Sequence, residues 1–145
     1  MAKPDPALLD PARYPFRSEI ETRFGDLDLN QHINNVALAQ LCEESRVRFH
    51  KASGYHAALA TGGVGAMVAS LTIEFLGQGY YPEPVTAHVA AERLGNSSYS
   101  LVKLIRQGDR TVVFARATMV VMKDNAPVPI PQVFRESVQP WMFRS

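Results

Sequence analysis

Apolar and polar residues alternate with a period of two over much of the chain after residue 65. Successive side chains of a strand point to opposite faces of a sheet, so this alternation predicts strands. They are expected at 19–24, 66–76, 85–93, 98–106 and 111–122. The turn pairs Gly95-Asn96 and Gly108-Asp109 separate the last three strands, which predicts antiparallel hairpins.

The strand predicted at 66–76 has an apolar face and a polar face. The apolar face is expected to carry Met67, Ala69, Leu71, Ile73 and Phe75. The opposite face carries Ser70, Thr72 and Glu74.

Residues 34–53 follow the period of a helix instead, and this is the only long helix that the pattern predicts. Gly54 is expected to end it. The segment 61–65 is expected to be a flexible connection, and 132–138 a helical turn. One apolar stripe of the long helix is formed by Leu38, Leu41, Cys42, Ser45 and Phe49.

The predicted order is one strand, a long helix and four strands, in a single domain over residues 16–145. Residues 1–15 are rich in Pro and Ala and are interpreted as an N-terminal arm. The strand at 111–122 carries apolar residues on both faces, whereas one helix covers only one face of a sheet. We therefore expect a second subunit to cover part of the other face, which predicts an oligomer.

Composition narrows the class of protein. A formal net charge of +1 over 145 residues gives no electrostatic case for a nucleic-acid partner, which usually requires a basic face. No apolar run approaches the ~20 residues that span a bilayer, and the first residues lack a signal peptide's apolar region. Cys42 is the only cysteine, so no intrachain disulfide forms. These features predict a cytoplasmic protein.

The densest polar run in the chain, residues 23–35, lies between the first predicted strand and the helix. Asp28, Asn30 and His32 alternate within it, so an extended loop would point all three side chains the same way. A carboxylate, an amide and an imidazole would then share one pocket suited to acid–base chemistry. For Asp28 the alternative is a turn or a helix cap, and for Asp26 it is also a turn.

Asn34 and Asn35 are expected to include the helix N-cap. The first backbone N–H groups of a helix lack intrahelical acceptors and carry partial positive charge. Such donors suit a carbonyl oxygen that becomes negative during acyl transfer.

Basic residues among the late strands are candidates for binding the phosphates of a nucleotide or pantetheine. These candidates are Arg93, Lys103, Arg106 and Arg110, and solvated strand ends explain them nearly as well. Three histidines, His50, His56 and His88, lack metal-ligand spacing and are expected to be structural or solvated. Cys42 lies on the apolar stripe and is expected to be a core residue.

Residues 26–36, Asp-Leu-Asp-Leu-Asn-Gln-His-Ile-Asn-Asn-Val, resemble the active-site signature of hotdog-fold acyl thioesterases. The resemblance is to the acyl-carrier-protein thioesterases and to bacterial 4-hydroxybenzoyl-CoA thioesterases. It implies an α+β fold: a single hotdog domain whose five-stranded antiparallel sheet wraps around one long central helix. It also implies sheets joined edge to edge in a homodimer, often paired into tetramers, with active sites at the subunit interface.

The resemblance assigns roles to four residues of the signature. Asp28 corresponds to the catalytic carboxylate, a nucleophile or a general base on water, while Asn30 and His32 match the family's amide and imidazole. Asn35 lies where a backbone N–H polarises the thioester carbonyl. The chain departs from the family in having room for one hotdog unit, where plant enzymes have two. It also has Leu38 where many relatives carry an aromatic.

These residues together predict an enzyme that hydrolyses an acyl-CoA or acyl-carrier-protein (acyl-ACP) thioester without a metal or redox cofactor. A hydratase or dehydratase on the same fold is a second reading, although the spacing from Asp28 to His32 favours hydrolysis. A third is a non-catalytic acyl-CoA binding module, because fold alone does not establish activity.

Overall fold

The computed structural model describes residues 3–145 and contains one mixed α+β domain. An antiparallel sheet has the strand order β1-β3-β4-β5-β2, with a short β6 paired to β5. Its strands are β1 Phe16–Ile20, β2 Gly65–Phe75, β3 Val85–Leu94, β4 Ser98–Gln107, β5 Arg110–Lys123 and β6 Ala126–Pro127. The helices are α1 Asn35–Ala52, α2 Tyr55–Thr61 and α3 Gln132–Val138. The long helix packs on one face of the sheet, which confirms the predicted fold class.

Helix α1 begins and ends where its sequence predicts. The Asn34 side chain caps it by accepting a hydrogen bond from the N–H of Ala37 at 2.8 Å. Gly54 follows the helix in the left-handed region, with φ 79°. The whole apolar stripe is buried against the sheet: Leu38, Leu41, Cys42, Ser45 and Phe49. None of the helices within residues 3–145 is long and apolar enough to cross a membrane.

The hairpins β3–β4 and β4–β5 are antiparallel, as predicted from their turns. The prediction for the first strand is wrong: β1 covers Phe16–Ile20 and ends before 21–24. There the Thr22 hydroxyl donates to the Glu83 carbonyl at 3.1 Å, and Phe24–Asp26 forms a 3₁₀ turn. Helix α2 was not predicted because its seven residues are too few for a periodic pattern.

Strand β2 contains a bulge that the alternation of its residues does not reveal. Val68 pairs with Met119 and Ser70 pairs with Thr118, so Ala69 is an extra residue. A bulge exchanges the faces on which the following side chains lie.

The single apolar face predicted for β2 is therefore wrong. Beyond the bulge, Leu71, Ile73 and Phe75 lie on the face that α1 covers elsewhere, since they pair with Ala117, Ala115 and Val113. Before the bulge, Ala66 and Val68 lie on that face, and Met67 points away with 49% of its surface exposed.

The chain's own ends cover the centre of the other sheet face. A buried cluster there contains Tyr14, Ala90, Val102, Leu104 and Phe114, and Leu8, Leu9 and Phe143 pack on it. Apolar side chains on both faces of β5 therefore do not by themselves require a second subunit. The division into an arm, 1–15, and a domain, 16–145, stays a prediction. Met1 and Ala2 of that arm lie outside the described residues, and 3₁₀ turns form at Pro6–Leu9 and Pro11–Arg13.

Lys103 is fully buried in β4, facing α1. Its Nζ atom lies 3.8 Å from Oε1 of Glu43 and makes no hydrogen bond within the described chain. The Arg46 guanidinium donates to the other Glu43 oxygen, Oε2, at 2.8 Å. Burial lowers the pKa of Lys103, because the charged ammonium loses its hydration.

We expect the double substitution Lys103→Met with Glu43→Gln to raise the free energy of unfolding by about 1–3 kcal/mol at pH 7, because both charges of a pair without a hydrogen bond are removed together. The folded-state pKa of Lys103 lies below its ordinary value of 10.5, so the unfolded chain binds more protons between the two values. The free energy of unfolding of the wild type therefore rises with pH over this interval. The difference in unfolding free energy between variant and wild type shrinks as the pH approaches 10.5. Urea unfolding at several pH values measures this difference. Lys123→Met, at an exposed position, is the control, and a destabilised double variant would contradict the expectation.

Candidate active site

The signature segment folds into a compact turn rather than an extended loop. Leu27 and Ile33 form an antiparallel bridge that brings its two ends together. The N–H of Asp28 donates to the carbonyl of His32 at 2.8 Å, and Gln31 has φ 62°. The expectation that Asp28, Asn30 and His32 point the same way along an extended chain is therefore wrong.

The Asp28 carboxylate is fixed by the backbone of its own turn. Its Oδ1 atom accepts hydrogen bonds from the N–H groups of Asn30 at 2.8 Å and His32 at 3.1 Å. No hydrogen bond within residues 3–145 reaches the other oxygen, Oδ2. One oxygen of Asp28 thus has the turn-forming role predicted as the alternative. The second oxygen is available for chemistry.

The side chains of Asn30 and His32 lie away from that oxygen. Asn30 is exposed, and the His32 ring packs edge-on against Tyr80 with 5.3 Å between ring centroids. Neither residue lines the cavity beside Asp28. The structure brings their backbone N–H groups, rather than their side chains, to the carboxylate.

The start of α1 forms the opposite wall of the site. The Asn34 side chain accepts from Ala37 and donates through Nδ2 to the Asp26 carbonyl at 2.8 Å. Within the described chain, the N–H groups of Asn35 and Val36 have no acceptor. Two free donors at the positive end of the helix therefore border the site.

Asp28 and these donors border one cavity of about 690 Å³. It is lined by Arg23, Asp26, Asp28, Asn34, Asn35, Val36, Ala37 and Gln40. Arg23 forms a two-pronged ion pair with Asp26, with Nη2 2.8 Å from Oδ1 and Nε 3.1 Å from Oδ2. Sequence reasoning missed Arg23 and Gln40. The three-residue spacing from Arg23 to Asp26 was the available signal for the first, and Gln40 gave none.

A neighbouring loop around Gly79 and Tyr80 supports the signature turn. The N–H of Ile33 donates to the carbonyl of Gly79 at 2.8 Å. The buried side chain of Gln107 accepts from the N–H of Tyr80 and donates to the carbonyls of Tyr80 and Glu83. Gln107 therefore holds the loop against which Ile33 and the His32 ring pack. Its position at the end of β4 gave no sequence signal of this role.

The basic residues predicted to bind phosphates do not form one cluster. Arg93 lies near one end of the β3–β4 hairpin, opposite Ser100, and Arg106 lies at the other end, opposite Thr86. Lys103 lies between them under α1 and is inaccessible. The prediction that Lys103 contacts substrate phosphates is wrong, because its alternation along β4 turns it inward.

Cys42 is a core residue, as predicted. It is fully buried, and burial raises the pKa of its thiol to about 11, which keeps it protonated. His50 is also buried, and burial lowers its pKa to about 3. Among residues 3–145, no group of three or more His, Cys, Asp or Glu side chains is arranged to hold a metal ion.

Solved structures from several sources share this fold. A thioesterase from Thermus thermophilus, complexed with coenzyme A and Zn, is 23% identical, with a TM-score of 0.75 over 88% of this chain and 93% of that one. A predicted thioesterase from Bacillus stearothermophilus is 23% identical, with a TM-score of 0.76 over 90% of this chain and 98% of that one. The gentisyl-coenzyme A thioesterase BH1999 is 17% identical, with a TM-score of 0.72 over 85% of this chain and 98% of that one.

No curated protein matches the sequence significantly. The sequence profile of the thioesterase-like superfamily matches residues 22–138, which include the signature turn, α1 and all strands from β2 onwards. This chain therefore belongs to the thioesterase-like superfamily and has the hotdog fold of its thioesterases.

Proposed function

We propose that this protein hydrolyses an acyl-CoA or acyl-ACP thioester to a free acid and a thiol. One observation carries the proposal: the free oxygen of Asp28 and the unpaired N–H groups of Asn35 and Val36 border the same cavity. A carboxylate can act as the nucleophile or base of acyl transfer, and two backbone donors can stabilise the oxyanion that forms. Membership of the thioesterase-like superfamily supports this reaction class.

In the proposed reaction, the thioester carbonyl oxygen accepts hydrogen bonds from the N–H groups of Asn35 and Val36. Oδ2 of Asp28 then attacks the carbonyl carbon, or removes a proton from a water molecule that attacks it. The carbon–sulfur bond breaks, and the thiolate leaves and takes up a proton. When water is the nucleophile, the acid forms directly. When Asp28 is the nucleophile, a water molecule then hydrolyses the mixed anhydride between Asp28 and the acyl group, which releases the acid and restores the carboxylate. The helix donors lower the barrier because negative charge grows on the carbonyl oxygen in the transition state.

Asn30 and His32 contribute in this proposal by fixing Asp28. Their N–H groups orient Oδ1, and the packing of the His32 ring on Tyr80 secures the turn. A carboxylate with a fixed direction reacts without first losing alternative rotamers. A part for the His32 imidazole in proton transfer, or for the Asn30 amide in orienting water, stays a prediction.

Coenzyme A thioesters are the favoured substrates. The gentisyl-coenzyme A thioesterase and the coenzyme A complex among the similar structures support this choice, and an acyl carrier protein is the alternative. Arg93 is exposed near the end of β3, and its contact with a substrate phosphate stays a prediction.

The proposed working form is a homodimer or homotetramer in which β2 meets a second copy. This edge strand is eleven residues long and exposes Leu71 and Phe75 on the face that α1 covers elsewhere. A long edge strand with exposed apolar side chains favours pairing with another chain. Apolar side chains next to the site, Phe24, Leu29 and Val36, are 71%, 100% and 70% exposed, which supports an active site completed by a partner subunit.

We expect Asp28→Asn to reduce thioester turnover by at least ~10²-fold, because the amide neither attacks nor removes a proton. The amide oxygen still accepts the two backbone hydrogen bonds, so the turn should stay folded. The measurement is thiol release from a panel of aliphatic and aromatic acyl-CoAs, then from acyl-ACPs. Asp124→Asn, in the exposed turn after β5, is the matched control and should keep wild-type turnover.

Equal turnover in Asp28→Asn and wild type would contradict the role of Asp28. A wild-type protein that releases no thiol from either substrate class, but hydrates an enoyl thioester, would instead be a hydratase. Tight acyl-CoA binding without any turnover would identify a binding module.

We expect Leu71→Glu to shift the protein from oligomer towards the mass of a single chain, because a charge would be buried at the proposed β2 contact. Size-exclusion chromatography with light scattering measures the mass. Val133→Glu places the same charge on another exposed apolar position, in α3, and should leave the mass unchanged. A Leu71→Glu variant that keeps the wild-type oligomeric mass would rule out β2 as the contact.

A further inference from the structure

A second cavity, of about 330 Å³, lies on the face of the sheet opposite to α1. It is lined by Pro11, Ala12, Tyr14, Arg17, Thr86, His88, Arg106 and Gly108. His88 and Arg106 occupy positions of β3 and β4 that alternate with Ala87 and Ile105, whose side chains pack in the cluster under α1. This cavity is therefore separate from the Asp28 site, which α1 borders.

Three basic side chains from three strands meet at this cavity. Arg17 of β1 pairs in register with His88 of β3, and Arg106 of β4 pairs with Thr86. The cavity lining, all of which falls in the described part of the chain, includes no Asp or Glu. Glu19 lies two residues along β1 from Arg17 and is exposed outside the lining. The guanidinium groups of Arg17 and Arg106 thus converge on the cavity with no carboxylate in its lining, and the Glu83 carboxylate lies outside it near Gly108.

Arg106 carries an unused donor at this place. Its Nη2 donates to the carbonyl of Asp109 at 2.8 Å, whereas its Nε is buried and has no hydrogen-bond partner within residues 3–145. Neither Arg17 nor Arg106 forms an ion pair with any described carboxylate, although seven such pairs occur elsewhere in the chain. A buried donor without a partner is costly, and Arg106 shares this feature with Arg13 and Arg46, which do not line the cavity.

His88 also lies near positive charges that no carboxylate of the cavity lining offsets. The residue is 7% exposed, and its ring lies edge-on to Tyr14 with 6.2 Å between centroids. The Tyr14 hydroxyl donates its hydrogen bond to the carbonyl of Leu8, and as a neutral group it does not offset the arginine charges. Burial, together with the positive charges of Arg106 and Arg17, lowers the pKa of His88 to about 4.

We propose that this cavity is a binding site for a small oxyanion of the phosphate class, held by Arg17 and Arg106 with His88 between them. The guanidinium groups of Arg17 and Arg106 donate to the phosphate oxygens, and the negative charge of the anion offsets their positive charges. The inference does not depend on the thioesterase reaction, because no residue of the Asp28 cavity lines this one.

The test is a titration of the full-length protein with inorganic phosphate at constant ionic strength, in which NMR monitors the resonances of the His88 imidazole. We expect a saturable shift of the His88 resonances and a rise of its pKa by about one unit or more, because an adjacent negative charge favours the protonated ring. Arg17→Gln and Arg106→Gln should each weaken binding about tenfold or more, the effect of removing one charged hydrogen bond. Lys123→Gln removes a positive charge from an exposed position at the end of β5 and should bind phosphate like wild type.

Absence of a saturable His88 shift in wild type would overturn the proposal, as would wild-type affinity in both arginine variants. Circular dichroism checks the fold of each variant. If Arg106→Gln does not fold, the exposed Arg17→Gln decides the result by itself. A parallel titration with coenzyme A separates two sources of the anion. Tighter binding than phosphate would assign the site to a nucleotide phosphate, and equal or weaker binding would assign it to free phosphate.

Discussion

The anchoring of the signature turn to the start of α1 is the constraint on which the site depends. Asn34 alone provides this anchoring. Its N–H and Nδ2 both donate to the Asp26 carbonyl, and its Oδ1 accepts a hydrogen bond from the N–H of Ala37. Because the cap is satisfied at Ala37, the N–H groups of Asn35 and Val36 stay free. The same contacts set the distance between the turn that carries Asp28 and the helix end that carries the donors.

The two faces of the sheet have different physical characters. The face under α1 is largely apolar but buries Lys103, whose charge is balanced only by Glu43 at 3.8 Å. The opposite face is closed at its centre by Tyr14, Phe143 and their neighbours, and beside this cluster it gathers the uncompensated charges of Arg17 and Arg106. The two ends of the chain thus cover the centre of this face, and the N-terminal segment also forms one wall of the basic cavity through Pro11, Ala12 and Tyr14.

Local sequence information was sufficient for α1, for the β3–β4–β5 meander and for the position of the polar run. These features depend on neighbouring residues: a helical stripe, turn pairs such as Gly95-Asn96, and an N-cap Asn34. Asp28 could be singled out for the same reason, since Asp26, Asn30 and His32 lie close to it in the sequence itself. The orientation of Asn30 and His32 could not, because the turn is closed by pairing of Leu27 with Ile33 and by the distant loop at Gly79.

The sequence by itself thus determined the fold class, the catalytic carboxylate candidate and the helix that faces it. Only the tertiary structure decided the bulge at Ala69, the burial of Lys103 and the separation of Arg93 from Arg106. It also brought Arg17, His88 and Arg106 together from three strands. The physical reason is that a period of two along the sequence shows only which side chains of a strand share a face. The register and the bulges depend on pairing with distant strands, and they decide which residues those side chains meet.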